Sequence, residues 1–338
     1  MSKFLFLLLL MLILMGCGHE SRNAEDTPIQ ESHFLPLGGE PQYVEISAAS
    51  RENPILLFIH GGPAWPQTPQ LRYFSSELAD EYTLVIWEQR GAGKNYARNP
   101  NPDQLSLAQI IQDGHELSQW LKKTYQQEKI YLAGYSWGSL VGVLLAETYP
   151  EDYLAYIGIA QMVHPENAMQ VSQDWLTTKA LEANDQAALI KLDSLKHPEF
   201  YDDKLDRFFN QWLLLNKYRG ALHNLDAVPA IDSAMVAYED YKDYDWMGVW
   251  EYSAKILQND MFAARVDTID SLPIPVFLLQ GRHDWNVPSV MAAAWLDELE
   301  APQKQIFWFE NSGHGLLEEE PTRFNEVMKE IVRLKEIR

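Results

Sequence analysis

The sequence predicts an α/β fold: a mostly parallel, twisted sheet with helices on both faces and a helical cap inserted between strands 6 and 7. Three observations carry this expectation. Apolar or β-branched runs at residues 54–59, 82–87, 129–133, 153–160, 274–280 and 305–309 read as strands buried on both faces. Between them, residues 107–125, 139–148, 290–299 and 321–337 carry apolar side chains at helical spacing. Strands that alternate with helices imply a parallel sheet covered on both sides. Residues 165–265 break the rhythm, being helix-like and rich in Tyr, Trp and acidic residues, and are read as the cap. Residues 37–164 and 266–338 then form the core.

Composition narrows the function classes. With 11 Trp, 16 Tyr and 13 Phe in 338 residues, the chain has ample material for a core. One cysteine excludes a disulfide scaffold. Acidic side chains outnumber basic ones 48 to 27, a balance that repels nucleic acid and argues against docking through a polybasic patch.

The first 16 residues read as a secretory signal. Lys3 precedes an unbroken apolar run of 12 residues, too short for the ~20 residues of a spanning helix. It ends in Leu14-Met15-Gly16-Cys17, which resembles the bacterial lipoprotein lipobox. The resemblance implies cleavage before Cys17, a diacylated Cys17 thiol and an acylated new amino terminus. Two or three acyl chains would hold the protein stably on a membrane. The expected location is the bacterial cell envelope, and Gly18, in place of a retaining aspartate, leans toward the outer membrane. Residues 17–36 are read as a flexible tether.

The segment with most chemical content is Gly134-Tyr135-Ser136-Trp137-Gly138, which follows a strand and opens a helix. In a G-x-S-x-G elbow the serine occupies a strained turn that thrusts Oγ outward, and side chains at the flanking glycine positions would collide. The helix behind it aims N–H groups at the point where negative charge develops in acyl transfer.

A serine nucleophile needs an imidazole base oriented by a carboxylate. With such an elbow the chain order is Ser, acid, His. The strand at 274–280 runs into Gly281-Arg282-His283-Asp284, and that at 305–309 into Asn311-Ser312-Gly313-His314-Gly315. Asp284 is therefore assigned as the orienting acid and His314 as the general base. His283 precedes the last strand and is read as loop packing. Glu310 and Glu318 to Glu320 are read as solvated surface. The oxyanion donors are the Trp137 N–H and one from His60-Gly61-Gly62-Pro63, with Gly62 preferred over Gly61 and His60 as loop organiser.

His60-Gly-Gly-Pro63, Glu88-Gln-Arg-Gly-Ala-Gly93 and Gly134-Tyr-Ser-Trp-Gly-Ser139, with Asp284 and His314, resemble the proline iminopeptidase branch of the α/β-hydrolase superfamily. The resemblance spans most of residues 40–335. It implies the α/β-hydrolase fold and a Ser-Asp-His hydrolase that releases N-terminal residues, with no metal or organic cofactor. There are departures: Ala64 replaces the last glycine of HGGPG, Glu88 and Asn95 replace the Asp and Ser of DQRGxGxS, and Tyr135 replaces the second glycine of GGSWG. In that family cap glutamates bind the substrate's free ammonium. Trp250-Glu251 is similar to its cap segment, so Glu251 is the expected anchor, with Glu166 a second candidate. Both also suit a solvated helix face. Residues 200–252 hold twelve aromatic residues that could line a pocket or pack the cap.

Three functions compete. An aminopeptidase predicts recognition of a free amino terminus. A carboxylesterase or other acyl hydrolase uses the same triad without it. A non-catalytic lipoprotein binding a ligand under the cap would not react at Ser136. Epoxide hydrolases and haloalkane dehalogenases need a carboxylate nucleophile, which Ser136 argues against.

Overall fold

The computed structural model describes residues 28–102 and 104–334. The signal segment and Cys17 lie outside the described residues. The strands are β1 (Ile29–Leu37), β2 (Glu40–Ala48), β3 (Ile55–Ile59), β4 (Thr83–Trp87), β5 (Ile130–Tyr135), β6 (Tyr153–Ile159), β7 (Val276–Gly281) and β8 (Lys304–Phe309). The helices of the first half are α1 (Thr68–Phe74), α2 (Gly93–Arg98), α3 (Leu107–Tyr125) and α4 (Trp137–Thr148). Between β6 and β7 come α5 (Pro165–Glu182), α6 (Gln186–Leu195), α7 (Lys204–Lys217), α8 (Val228–Val236) and α9 (Trp246–Ala263). The chain closes with α10 (Ser289–Glu298), α11 (Leu316–Glu319) and α12 (Pro321–Arg333).

One sheet runs in the order β1-β2-β4-β3-β5-β6-β7-β8. β2 is antiparallel to β1 and to β4, and all other neighbours are parallel. Every residue of β3, β4, β5 and β7 is buried, as expected of strands covered on both faces. Alternate side chains feed two cores. Leu57, Ile59, Val85 and Leu132 pack with α3, α4 and α10, while Leu56, Phe58, Leu84 and Phe277 pack with α1 and α12. Each fully buried Leu or Phe contributes about 1.5–3 kcal/mol, so the parallel strands form a stiff platform for the loops at their carboxyl ends.

The tether expected over residues 17–36 is corrected at its end, because β1 occupies Ile29–Leu37. Its residues alternate between covered and exposed, and it closes a hairpin on β2 through Gly38 and Gly39, both at positive φ. Leu35 and Leu37 join the core, and the Tyr125 hydroxyl donates to Glu31 at 2.6 Å. Polar residues on the open face of this edge strand conceal the pattern.

The cap has its own small core of Leu176, Leu192, Leu195 and Leu215. It is tied to the sheet by polar contacts. Tyr241 Oη donates to Glu88, Ser253 Oγ donates to the Gly91 carbonyl at 2.8 Å, and Tyr244 Oη accepts from the Gly93 N–H at 2.9 Å. No helix among the described residues is long and apolar enough to cross a membrane.

Candidate active site

β5 ends at Tyr135 and α4 begins at Trp137, so Ser136 sits alone in the turn with φ 54° and ψ −118°. A non-glycine residue at positive φ is strained. The turn is tight enough that a Cβ on Gly134 would meet the Gly138 carbonyl oxygen at 2.2 Å, and one on Gly138 would meet the Ile59 oxygen at 2.2 Å. Hydrogen bonds fix the turn: Ser136 N–H donates to Ile159 at 2.8 Å, and Ser139 Oγ donates to the Ser136 carbonyl at 2.6 Å.

The loops after β7 and β8 bring their side chains to the same place. His314 Nε2 lies 3.0 Å from Ser136 Oγ, and His314 Nδ1 lies 2.8 Å from Asp284 Oδ2. The other Asp284 oxygen accepts from the Asn286 and Val287 N–H groups, each at 2.9 Å. An ionised carboxylate only accepts, so His314 carries its proton on Nδ1 and offers the Nε2 lone pair to the serine hydroxyl. Burial alone would lower the His314 pKa. The Asp284 charge and hydrogen bond, with Glu318 and Glu319 nearby, outweigh burial and raise it above the ordinary 6.5. His283 takes no part in this relay and stacks on His223 of the cap, 3.6 Å between ring centroids.

The glycine loop after β3 is organised by buried polar side chains. Gln89 N–H donates to His60 Nε2 at 3.0 Å, so Nδ1 holds the proton and donates to the Gly61 carbonyl at 2.8 Å. Burial pushes the His60 pKa down to about 4, leaving the ring neutral. Gln89 also donates to the His60 carbonyl at 2.8 Å and accepts from the Trp137 indole at 2.9 Å. Gln67 takes the Gly61 N–H at 2.7 Å. That leaves Gly62 as the glycine of this loop whose N–H is uncommitted among the described residues, and it lines the cavity beside Ser136. Trp137 is the first residue of α4, where N–H groups lack intrahelical partners.

The departures from the family pattern are accommodated locally. Ala64 adopts φ 59° and packs against Ala92 and Val249. Asn95 reaches β2, accepting from the Tyr43 N–H at 2.7 Å. Glu88 accepts from Thr68 Oγ1 at 2.9 Å and from the Lys94 N–H at 2.6 Å. Tyr135 donates its hydroxyl to the His314 carbonyl at 2.7 Å, bracing the loop that carries the imidazole.

The expectation of a solvated surface at Glu318 to Glu320 is overturned. Glu319 is buried and accepts from the N–H groups of His223, Asn224, Gly313 and Gly315, at 2.9, 2.6, 2.9 and 3.2 Å. Glu320 accepts from Ser312 Oγ at 2.6 Å. Burial pushes the Glu318 carboxyl up to about 7. Cap residues 220–224 run between the two loops: the Trp285 N–H donates to Gly220 at 2.7 Å and the His314 N–H to Ala221 at 2.6 Å. Glu310 is exposed and pairs with Arg282 at 2.7 Å.

Beneath the cap, a cavity with about 50 Å³ of free space opens at Ser136, room for a few water-sized groups. Met162, Val163, Met169, Phe208 and Trp250 wall it, with Asn286 at the mouth of the Asp284 loop. The structure does not bring the expected ammonium anchors here. Glu166 is exposed on α5, paired with Lys204 at 3.0 Å, and Glu251 is exposed on α9. Successive helical residues point about 100° apart, so turning Trp250 inward turns Glu251 out. Among the described residues no group of three or more His, Cys, Asp or Glu is placed to hold a metal ion.

Residues 56–327 match the model of the Alpha/beta hydrolase family. The chain is similar to the Probable aminopeptidase YbaC of Bacillus subtilis (strain 168), 28% identical over 296 residues, covering 86% of this chain and 92% of that relative. In structure it resembles the proline iminopeptidase of Mycobacterium smegmatis, with a TM-score of 0.63 at 16% identity over 90% of this chain and 97% of the other. A thermophilic esterase from Thermogutta terrifontis gives a TM-score of 0.58 at 16% identity over 90% and 98%. At these identities the two structures speak to the fold alone.

Proposed function

This chain belongs to the Alpha/beta hydrolase family, and on that premise we propose that it is a serine hydrolase that removes a small N-terminal residue from peptides through an acyl-enzyme on Ser136. The observation that carries the reading is the hydrogen-bonded series Ser136–His314–Asp284 opening onto an apolar cavity of about 50 Å³. His314 Nε2 takes the hydroxyl proton as Oγ attacks the carbonyl carbon. The N–H groups of Trp137 and Gly62 hold the oxyanion, and Asp284 steadies the imidazolium. His314 then protonates the leaving amine, and water, deprotonated in turn by His314, releases the acid. A cavity this small suits one compact side chain. The name of the Bacillus subtilis relative supports an aminopeptidase.

A carboxylesterase is the second reading, favoured by the lack of a carboxylate among the described residues that line the cavity. The test compares an aminoacyl naphthylamide, its N-acetyl analogue and a short p-nitrophenyl ester. Faster turnover of the free aminoacyl amide supports the exopeptidase. Equal rates on the two amides, or turnover of the ester alone, support the esterase. A fluorophosphonate probe labelling the wild type but not Ser136→Ala separates both from a binding protein.

We also propose that Cys17 carries a lipid anchor to an envelope membrane, preferably the outer one. Support comes from Leu14-Met15-Gly16-Cys17 and from Cys17 being the one cysteine of the chain. Labelled palmitate should co-migrate with the wild type and not with Cys17→Ala.

A further inference from the structure

Apart from Ser136 and the Trp250 indole, the side chains that wall the cavity are apolar except for Asn286. It contributes the one side-chain carbonyl among the described residues that line the space beside Ser136. That oxygen is buried and has no hydrogen-bond partner among the described residues. The residue is held in place by its backbone, whose N–H donates to Asp284 Oδ1 at 2.9 Å. The carboxylate that orients His314 therefore also fixes where the Asn286 amide stands. A buried acceptor left unpaired is costly. That cost is relieved when the amide turns about Cβ–Cγ toward the cavity that Asn286 lines and a ligand there brings the missing donor.

We propose that Asn286 is a specificity-determining residue whose side-chain carbonyl accepts a hydrogen bond from the uncharged α-amine of the residue whose carbonyl Ser136 attacks. The inference rests on the exopeptidase reading above and deepens it by naming the form of amine that binds. An ammonium group here would shed its water and meet no counter-charge, since the cavity-facing residues of α5, α7 and α9 are apolar apart from the Trp250 indole. The ionisable groups close by are already committed. Asp284 serves His314 and two backbone N–H groups, and Glu319 serves four. Glu318 lies beside His314 with its carboxyl held toward the neutral form by burial, and His223 and His283 stack on each other. A free α-amine has a pKa of about 8, and apolar surroundings lower it. The neutral form is thus accessible at physiological pH, with an N–H to donate to a single acceptor.

The experiment measures kcat/KM for alanine p-nitroanilide and for propionyl p-nitroanilide, which lacks only the amine, on the mature chain. The quantity read is the ratio of the two, so that loss of catalytic competence in a variant cancels. Ser136→Ala sets the background. In the wild type the ratio should rise from pH 6 to pH 9 as the amine loses its proton. In Asn286→Leu it should fall about tenfold, through KM, the effect of one neutral hydrogen bond. In Asn286→Asp the pH trend should reverse, because a carboxylate prefers the ammonium; this variant also supplies the answer if Asn286→Leu does not fold. An unchanged ratio in Asn286→Leu, or a wild-type ratio that falls with rising pH, overturns the assignment while alanyl turnover keeps the exopeptidase reading standing. Propionyl turnover without alanyl turnover overturns both.

Discussion

Ser136 is met from two sides that handle polarity differently. On the core side, Gln67, Gln89, His60, Asp284 and Glu319 are all buried or nearly so, and each is engaged by hydrogen bonds to a loop that carries a reacting group. On the cap side, the wall is Met169, Leu205, Phe208, Trp250 and Phe262, apolar apart from the Trp250 indole. A preorganised set of donors and acceptors stabilises charge without reorganising, which bond breaking requires. A dry apolar wall selects by size and by the cost of burying charge. On the proposed function, the core edge serves the reaction and, through Asn286, the recognition of the amine, while the cap sets the size and dryness of the space, and the two can be perturbed separately.

The largest effects should come from the core side. Ser136→Ala and His314→Ala should each lower kcat at least about 10³-fold on ester and amide alike, and Asp284→Asn about 10⁴-fold by presenting the wrong tautomer. Melting temperatures should stay close to wild type for Ser136→Ala, because only a hydroxyl is lost. Substrate-dependent losses, large on amides and small on esters, would break the separation by showing that the triad also selects.

Glu319→Ala comes next and should act on stability. It strips the acceptor from four N–H groups, two on cap residues 223–224 and two flanking His314. Orphaned buried donors cost about 1–3 kcal/mol each, although some will find water, so a loss of about 3 kcal/mol is expected in chemical denaturation. Glu319→Gln, which keeps an acceptor, should lose less. Equal losses in the two variants would mean that size rather than hydrogen bonding matters at this joint between cap and core.

The same contrast separates what is legible in the sequence from what is not. The turn at Ser136 is local: Gly134 and Gly138 flank the serine within five consecutive residues, and a Cβ on Gly134 would collide with Gly138 itself. Asp284 and His314 followed from loops that terminate strands on the same sheet edge. Glu319 sits in a run of three acids that suits solvent, and only the folding back of residues 220–224 buries the middle one. Glu251 is expected at the site only through the resemblance of Trp250-Glu251 to a family cap segment, and which face of α9 turns inward is settled by packing against the core. β1 was missed although Gly38-Gly39, a hairpin turn signal, was there to be read. Local chemistry is legible in sequence, whereas burial created by a distant segment is not.

For a substrate without an amine, the pH dependence should be milder and should belong to the core side. As the proposed base, His314 must be neutral to accept the serine proton, so activity should fall as pH drops through its pKa, which Asp284 holds above 6.5 against the opposing pull of burial. With a substrate lacking an amine, kcat/KM should show one acid limb centred above pH 6.5, and Glu318→Gln should move it down. The stability linkage has the opposite sign. A raised histidine pKa favours the folded state fully below 6.5, and that contribution fades as pH rises through the folded value. A profile flat from pH 5 to 8, with acylation limiting, would remove His314 as the base.

The smallest expected effect tests the cap surface. Glu166 and Glu251 are the acids that a family resemblance would assign to amine recognition, yet both face solvent on this cap. The Glu166–Lys204 pair, with each side chain about half exposed, should be worth under about 1 kcal/mol. Glu166→Gln and Glu251→Gln should therefore leave KM for an aminoacyl amide within about twofold of wild type. Screening at moderate salt weakens long-range attraction from such exposed carboxylates further. A tenfold rise in KM confined to amine-bearing substrates in either variant would require that helix to rotate its acid inward on binding. It would also transfer amine recognition from the Asp284 loop to the cap.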